Sequence, residues 1–124
     1  QLGAWICPMI DARRMEVYTA IFDENAQEVA PIHAHILEEN SFENYLEEKP
    51  TIFIGDGAKK SQDLLGKHPN AIFLPHILSS TRELGYILQK KYQGQQFEDL
   101  GTFEPFYLKD FVATKPKDRL KESR

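Results

Sequence analysis

The chain is expected to fold as one α/β domain built on a mixed sheet. Three observations predict this. Up to Leu37 the sequence reads as strands joined by short polar turns. Beyond Leu37, helical spacing alternates with short apolar runs. Those runs are too short for helices and rich enough in Ile and Phe for buried strands. Strands first and βα units afterwards give an antiparallel meander continued by parallel strands.

The elements follow in order. Met9 to Phe22 reads as a hairpin, with Asp11-Ala12-Arg13-Arg14 as its polar turn. Its second arm, Met15 to Phe22, is rich in β-branched and aromatic residues. Alternation puts Met15, Val17, Thr19 and Ile21 on one face and Glu16, Tyr18, Ala20 and Phe22 on the other. Neither face is cleanly polar, so this strand is expected to be covered at least partly on both sides. After the turn Asp23 to Gln27, a third strand is predicted over Glu28 to Leu37. Strict alternation would group Val29, Pro31, His33, His35 and Leu37 against Ala30, Ile32, Ala34 and Ile36. Pro31 lacks an N–H, which predicts an edge strand or a bulge there.

Asn40 and Glu43 have capping-box spacing, and Phe42, Tyr45 and Leu46 mark a short amphipathic helix. Thr51 to Ile54 reads as a buried strand, ended by Gly55-Asp56-Gly57. A helix over Ala58 to Leu65 stops at Gly66, and a strand over Ala71 to Leu74 stops at Pro75. Ser80 and Glu83 then open a helix whose stripe is Leu84, Ile87, Leu88 and Tyr92. The order βββ-α-β-α-β-α is that of the ribonuclease H-like architecture, repeated in each half of actin and hexokinase. Core positions are expected at Val17, Ile21, Ile52, Ile54, Ile72, Leu84 and Leu88. Phe97 to about Val112 is too apolar for a free tail and is expected to pack as a strap. The domain is thus placed at residues 1–113, with a polar, mobile tail at 114–124.

Charge and cysteine content narrow the function. The net charge of −4 argues against a nucleic-acid binder. Eight carboxylates and no Lys or Arg lie between Asp23 and Glu48, whereas Lys109 to Arg124 holds six basic and three acidic residues. These are either solvated faces or docking surfaces. Cys7 is the only cysteine, so no intrachain disulfide forms, which fits a reducing compartment. It is expected to be a small core residue. No apolar run approaches a membrane span.

No catalytic motif is complete. The first turn has no glycine, so it lacks the close-approaching amides of a phosphate loop. Asp11 there is either a turn residue or a site carboxylate. Gly55, Asp56 and Gly57 follow a buried strand and open a helix. They are either an anion site or a tight turn with Asp56 as N-cap. His33 and His35 share a strand face but have no third ligand by spacing, so no metal is expected. HExxH, GxSxG and Walker patterns are absent. On the residues alone, no catalytic group and no cofactor are expected.

Two stretches carry a resemblance. Pro8-Met9-Ile10-Asp11-Ala12-Arg13-Arg14-Met15-Glu16-Val17-Tyr18-Thr19-Ala20 resembles the signature IDARR-x-EVY-x-A of the bacterial TsaB (YeaZ) family. Pro105 to Lys117 is similar to that family's strap, P-x-YL-[KR], and the Gly55-Asp56-Gly57 turn fits between them. Met15 stands where many relatives carry glycine. The likeness runs in order along nearly the whole chain. It implies the second domain of a two-domain, actin-like protein, with the first domain preceding Gln1. It further implies a catalytically inactive, cytoplasmic subunit of the tRNA threonylcarbamoyladenosine machinery. The partners would be TsaD, which transfers the threonylcarbamoyl group, and the small ATPase TsaE. tRNA would be met only through the complex, and no membrane is involved. The family was once labelled M22 peptidase-like or glycoprotease-like. Its contact with TsaD is made largely by the first domain, which leaves this part to support the fold, meet TsaE or self-associate.

The residues named for docking are Asp11, Arg13, Arg14 and Glu16 at the first turn, then Lys109, Lys115 and Lys117 on the strap. Two other classes compete. One is a hydrolase or nucleotide-binding enzyme using Asp11, Arg13, Arg14 and Asp56. The other is a self-associating module, possible as a homodimer, that uses the acidic segment or the strap.

Overall fold

A computed structural model describes residues 3–109. Five strands and three helices follow one another as β1 (Trp5–Asp11), β2 (Glu16–Phe22), β3 (Glu28–Ile36), α1 (Glu43–Glu48), β4 (Thr51–Ile54), α2 (Ala58–Leu65), β5 (Ala71–Leu74) and α3 (Thr81–Gln93). One mixed sheet has the order β3-β2-β1-β4-β5. β2 pairs antiparallel with both β1 and β3, whereas β4 pairs parallel with both β1 and β5. The expected α/β class is observed. β1 lies at the centre, where the antiparallel and parallel halves meet.

β3 is an edge strand and it is bulged, and Pro31 accounts for both. Ile21 pairs with Ala30 but Thr19 pairs with His33, so β3 spends an extra residue around Pro31. That residue reverses the alternation. Ala30 packs against the core, and Val29 is exposed. Strict alternation through Pro31 therefore misplaces Ala30 and Val29.

The core occupies one face of the sheet. Trp5, Cys7 and Met9 of β1, Val17 and Ile21 of β2 and Phe53 of β4 meet Phe42, Leu46, Ala58 and Leu65 from the α1 and α2 region. Phe53 stacks on Phe73 with ring centroids 5.0 Å apart and meets Phe42 edge-on. Lys49 lies over the Trp5 ring, 3.5 Å from its centroid.

On the other face the outward residues of β2 are partly covered, with Ala20 buried, but three expected core positions are open. Ile72 is 42% exposed, Leu84 50% and Leu88 54%, so these three are not core residues. Ile52 and Ile54 are only half-buried, whereas Val17 and Ile21 are fully buried as expected. α3 is capped by Ser80, whose hydroxyl accepts from the Arg82 amide, but it buries none of its side chains. Periodicity reports that a stripe exists, not what lies opposite it. The expected strap also differs. Phe97, Leu100, Phe103, Phe106 and Tyr107 are exposed instead of packed on the domain. Its last residues, 110–112, and the tail 114–124 lie outside the described residues. α1 differs at its start too. Its N-cap is Phe42 in a left-handed conformation with no side-chain cap, so Asn40 and Glu43 form no capping box.

Candidate functional site

The first stretch of the resemblance forms the β1–β2 hairpin, whose turn meets the start of α2. β1 ends at Asp11, whose Oδ1 accepts the Arg13 amide at 2.7 Å. Ala12 N–H then donates to Glu16 O at 3.0 Å, and Glu16 N–H to Arg13 O at 3.1 Å. Arg13 and Arg14 have φ of 71° and 48°, the left-handed region, which costs energy for a residue with a Cβ. Both side chains are exposed at the tip, and neither forms an ion pair among the described residues.

Lys60 of α2 holds this turn from behind. Its ammonium donates to Asp11 Oδ1 at 2.8 Å, to Arg14 O at 2.9 Å and to Glu16 O. All three of its donors are thereby used. The Lys60 ammonium, with the Arg13 amide second, holds the Asp11 carboxyl below the usual carboxylate range. An ionised, already paired carboxylate is a poor general base near neutrality. Asp56 completes the joint by accepting the Asp11 amide at 3.0 Å.

The Gly55-Asp56-Gly57 turn is a packing joint. Gly55 has φ +94°, and a Cβ there would lie 2.2 Å from Met9 O. A Cβ on Gly57 would lie 2.9 Å from Val17 Cγ1. Gly55 N–H donates to Ile77 O at 2.9 Å and Gly57 N–H to Met9 O at 3.1 Å. An anion would find neither glycine amide free. Asp56 is not the N-cap of α2; Gly57 holds that position. A shallow groove of about 450 Å³ opens beside the turn, walled by Pro8, Ile10, Ile54 and Leu78.

Of the remaining docking residues, Glu16 is paired with Lys109, which ties the strap to the hairpin. The structure thus brings Asp11, Arg13, Arg14, Glu16, Asp56 and Lys109 around one end of the sheet. Lys115 and Lys117 lie outside the described residues. Lys60, the residue that organises the turn, was absent from the sequence-based set. Its only sequence signal is a lysine one turn into a helix, which is too common to single out.

Nucleophiles are poorly placed. Burial pushes the Cys7 thiol up to about 12, against a smaller lowering by the Thr19 hydroxyl 3.2 Å away. Ser61 hydroxyl donates to Ala58 O at 2.8 Å. One pairing escaped the sequence reading: His35 Nε2 lies 2.9 Å from Ser41 Oγ. Ser41 is buried, however, and its oxygen also accepts the Glu38 amide at 2.8 Å. The ring of His35 lies against Phe42, and its neighbour His33 meets Pro31 O through Nδ1. Burial, aided by the charge of His33 and opposed by Glu38, lowers the pKa of His35. Among the described residues no three His, Cys, Asp or Glu side chains gather as a metal site. No helix among them is long and apolar enough to cross a membrane.

No protein-family model matches the chain, and no curated protein matches it at a significant level.

Proposed function

We propose that this chain is a non-catalytic, TsaB-like domain of the machinery that makes threonylcarbamoyladenosine in tRNA. It would work in the cytoplasm beside TsaD-like and TsaE-like partners and meet tRNA only through them. The observation that carries this reading is the hairpin Ile10-Asp11-Ala12-Arg13-Arg14 with Glu16-Val17-Tyr18. Its Asp11 is fixed from within by Lys60, while its two arginines are exposed. A turn braced from behind, with exposed guanidinium groups in front, suits docking against a carboxylate or a carbonyl-lined surface. It does not suit proton transfer, because Asp11 is held ionised by its partner.

The test has two parts. Nucleoside mass spectrometry of tRNA from cells depleted of the gene should show loss of threonylcarbamoyladenosine. Charge reversal at the tip, R13E with R14E, should lower partner capture in pull-downs while leaving the circular dichroism spectrum unchanged. Unchanged modification levels would overturn the reading. The competing enzyme reading uses Asp11, Arg13, Arg14 and Asp56 beside the shallow groove. It predicts that a nucleotide or metal raises Tm by mass action, and a flat thermal-shift screen counts against it.

A further inference from the structure

β3 brings two histidines to one place. His35 pairs with Val17 and His33 with Thr19, so both stand on the core face of the sheet, at its edge. With Ile21, Phe42, Glu43 and Asn44 they line a hollow of about 380 Å³. Each ring is held through one of its nitrogens. His33 Nδ1 lies 2.9 Å from Pro31 O, and a carbonyl only accepts, so in the neutral ring Nδ1 carries the proton and Nε2 the lone pair. His35 Nε2 lies 2.9 Å from Ser41 Oγ. That oxygen accepts the Glu38 amide and keeps a second lone pair, so His35 Nε2–H can donate to it. His35 Nδ1 then carries the lone pair. Phe42 packs against the same ring, with centroids 4.5 Å apart.

The two remaining nitrogens, His33 Nε2 and His35 Nδ1, form no hydrogen bond among the described residues. The separation of the rings is that of two imidazoles on one ion. With metal–nitrogen bonds of about 2.1 Å, each ring centroid lies about 3.2 Å from the ion, which puts the two centroids about 5.2–5.5 Å apart at bond angles of about 109–120°. The centroids of His33 and His35 are 5.6 Å apart. The outward bonds also have the form found behind ligating histidines, whose second nitrogen donates to a fixed polar partner and so sets tautomer and orientation. Burial, the main cause of the lowered pKa of His35, keeps that ring neutral near pH 7, the form that ligates.

We propose that His33 and His35 form a two-histidine site for a borderline divalent cation of the Zn²⁺ class. His33 supplies Nε2, His35 supplies Nδ1, and water fills the remaining positions. Imidazole ligands favour Zn²⁺, Cu²⁺ and Ni²⁺ over Mg²⁺ and Ca²⁺, which take oxygen ligands. Glu43, on the wall of the same hollow, brings a carboxylate that offsets the charge of the ion and accepts hydrogen bonds from its waters. Spacing along the chain shows no third ligand, and the structure gathers none. The site is therefore an open one, in which the protein supplies two ligands and solvent the rest. It lies apart from the joint of Asp11, Asp56 and Lys60. The proposal goes beyond the tRNA reading and does not rest on it, because its test measures cation binding alone.

The experiment is titration of the full chain with Zn²⁺ alone, followed by calorimetry and by the ¹⁵N shifts of the imidazole rings. One ion should bind per chain. The signals of His33 Nε2 and His35 Nδ1 should move, while those of the other two histidines, His68 and His76, stay in place. H33Q and H35Q should each weaken binding about a hundredfold, because the second ligand no longer acts within the same chain. Circular dichroism checks that both variants are folded. Should H35Q lose its fold with the Ser41 bond, H33Q and the nitrogen shifts still decide. An excess of Mg²⁺ should not displace the ion. A wild-type chain that shows neither heat nor a shift at either ring overturns the proposal. So does binding that survives H33Q, a shift centred on His68 or His76, or one ion per two chains, which makes the cation a bridge between copies.

Discussion

Lys60→Met isolates the joint that holds the β1–β2 turn. Methionine keeps most of the aliphatic stem and removes the ammonium. Three acceptors then lose their donor: Asp11 Oδ1, Arg14 O and Glu16 O. The Asp11 pairing is open to solvent and is expected to contribute little. The two carbonyl bonds differ, because the Lys60 side chain is only 19% exposed and the Glu16 bond is partly buried. Charge-assisted bonds of this kind contribute about 1.5 kcal/mol each after exchange with water, so the loss should be roughly 2–3 kcal/mol. For a domain of this size that lowers Tm by on the order of 10 °C. Urea unfolding followed by circular dichroism gives the free energy. Amide exchange gives the location: Ala12 and Glu16, which close the turn, should exchange faster, while β4 and β5 stay protected. A variant within about 0.5 kcal/mol of wild type, the usual range for a neutral surface change, would refute this account of Lys60.

Other consequences follow from single positions. Gly55→Ala should be severely destabilising, because its Cβ meets a backbone carbonyl at a positive φ. Gly57→Ala, which meets the softer Val17 side chain, should cost about 1–3 kcal/mol in thermal unfolding. The pKa of His35 is lowered on folding by burial, so its contribution is complete above the unfolded value of about 6.5 and is lost as pH falls below it. Stability measured from pH 8 to 5 should decline below that point, and H35Q should flatten the decline. Cys7 should resist a thiol reagent in the native state and react once urea unfolds the chain, since burial pushes its thiol up to about 12; rapid native labelling would contradict its place in the core.

Much of the fold was legible because its signals are local. The hairpin, the short Ile- and Phe-rich strands and the stops at Gly66 and Pro75 depend on neighbours along the chain. The alternating strand pattern also placed Val17 and Ile21 correctly, since β2 keeps a regular register against β1 and the extra residues of the bulge lie on β3. Pro31 announced an edge or a bulge, and β3 has both. The consequence, that Ala30 turns inward, needed the actual pairing with Ile21.

The site was half legible. Asp11, Arg13, Arg14 and Glu16 stood out as a motif, but Lys60 lies far along the chain and acts only because α2 packs behind the turn. The turn at Gly55 to Gly57 could be read as an anion cradle until the partners of its amides were known. The sequence by itself determined the order of elements, the mixed-sheet class and the apolar stripe of α3, because propensity, periodicity and turn chemistry are carried by adjacent residues. Only the tertiary structure decided which apolar faces are buried, which amides are occupied and which cation braces the turn. Burial and hydrogen bonding between distant residues depend on where the chain returns, and no local pattern encodes that.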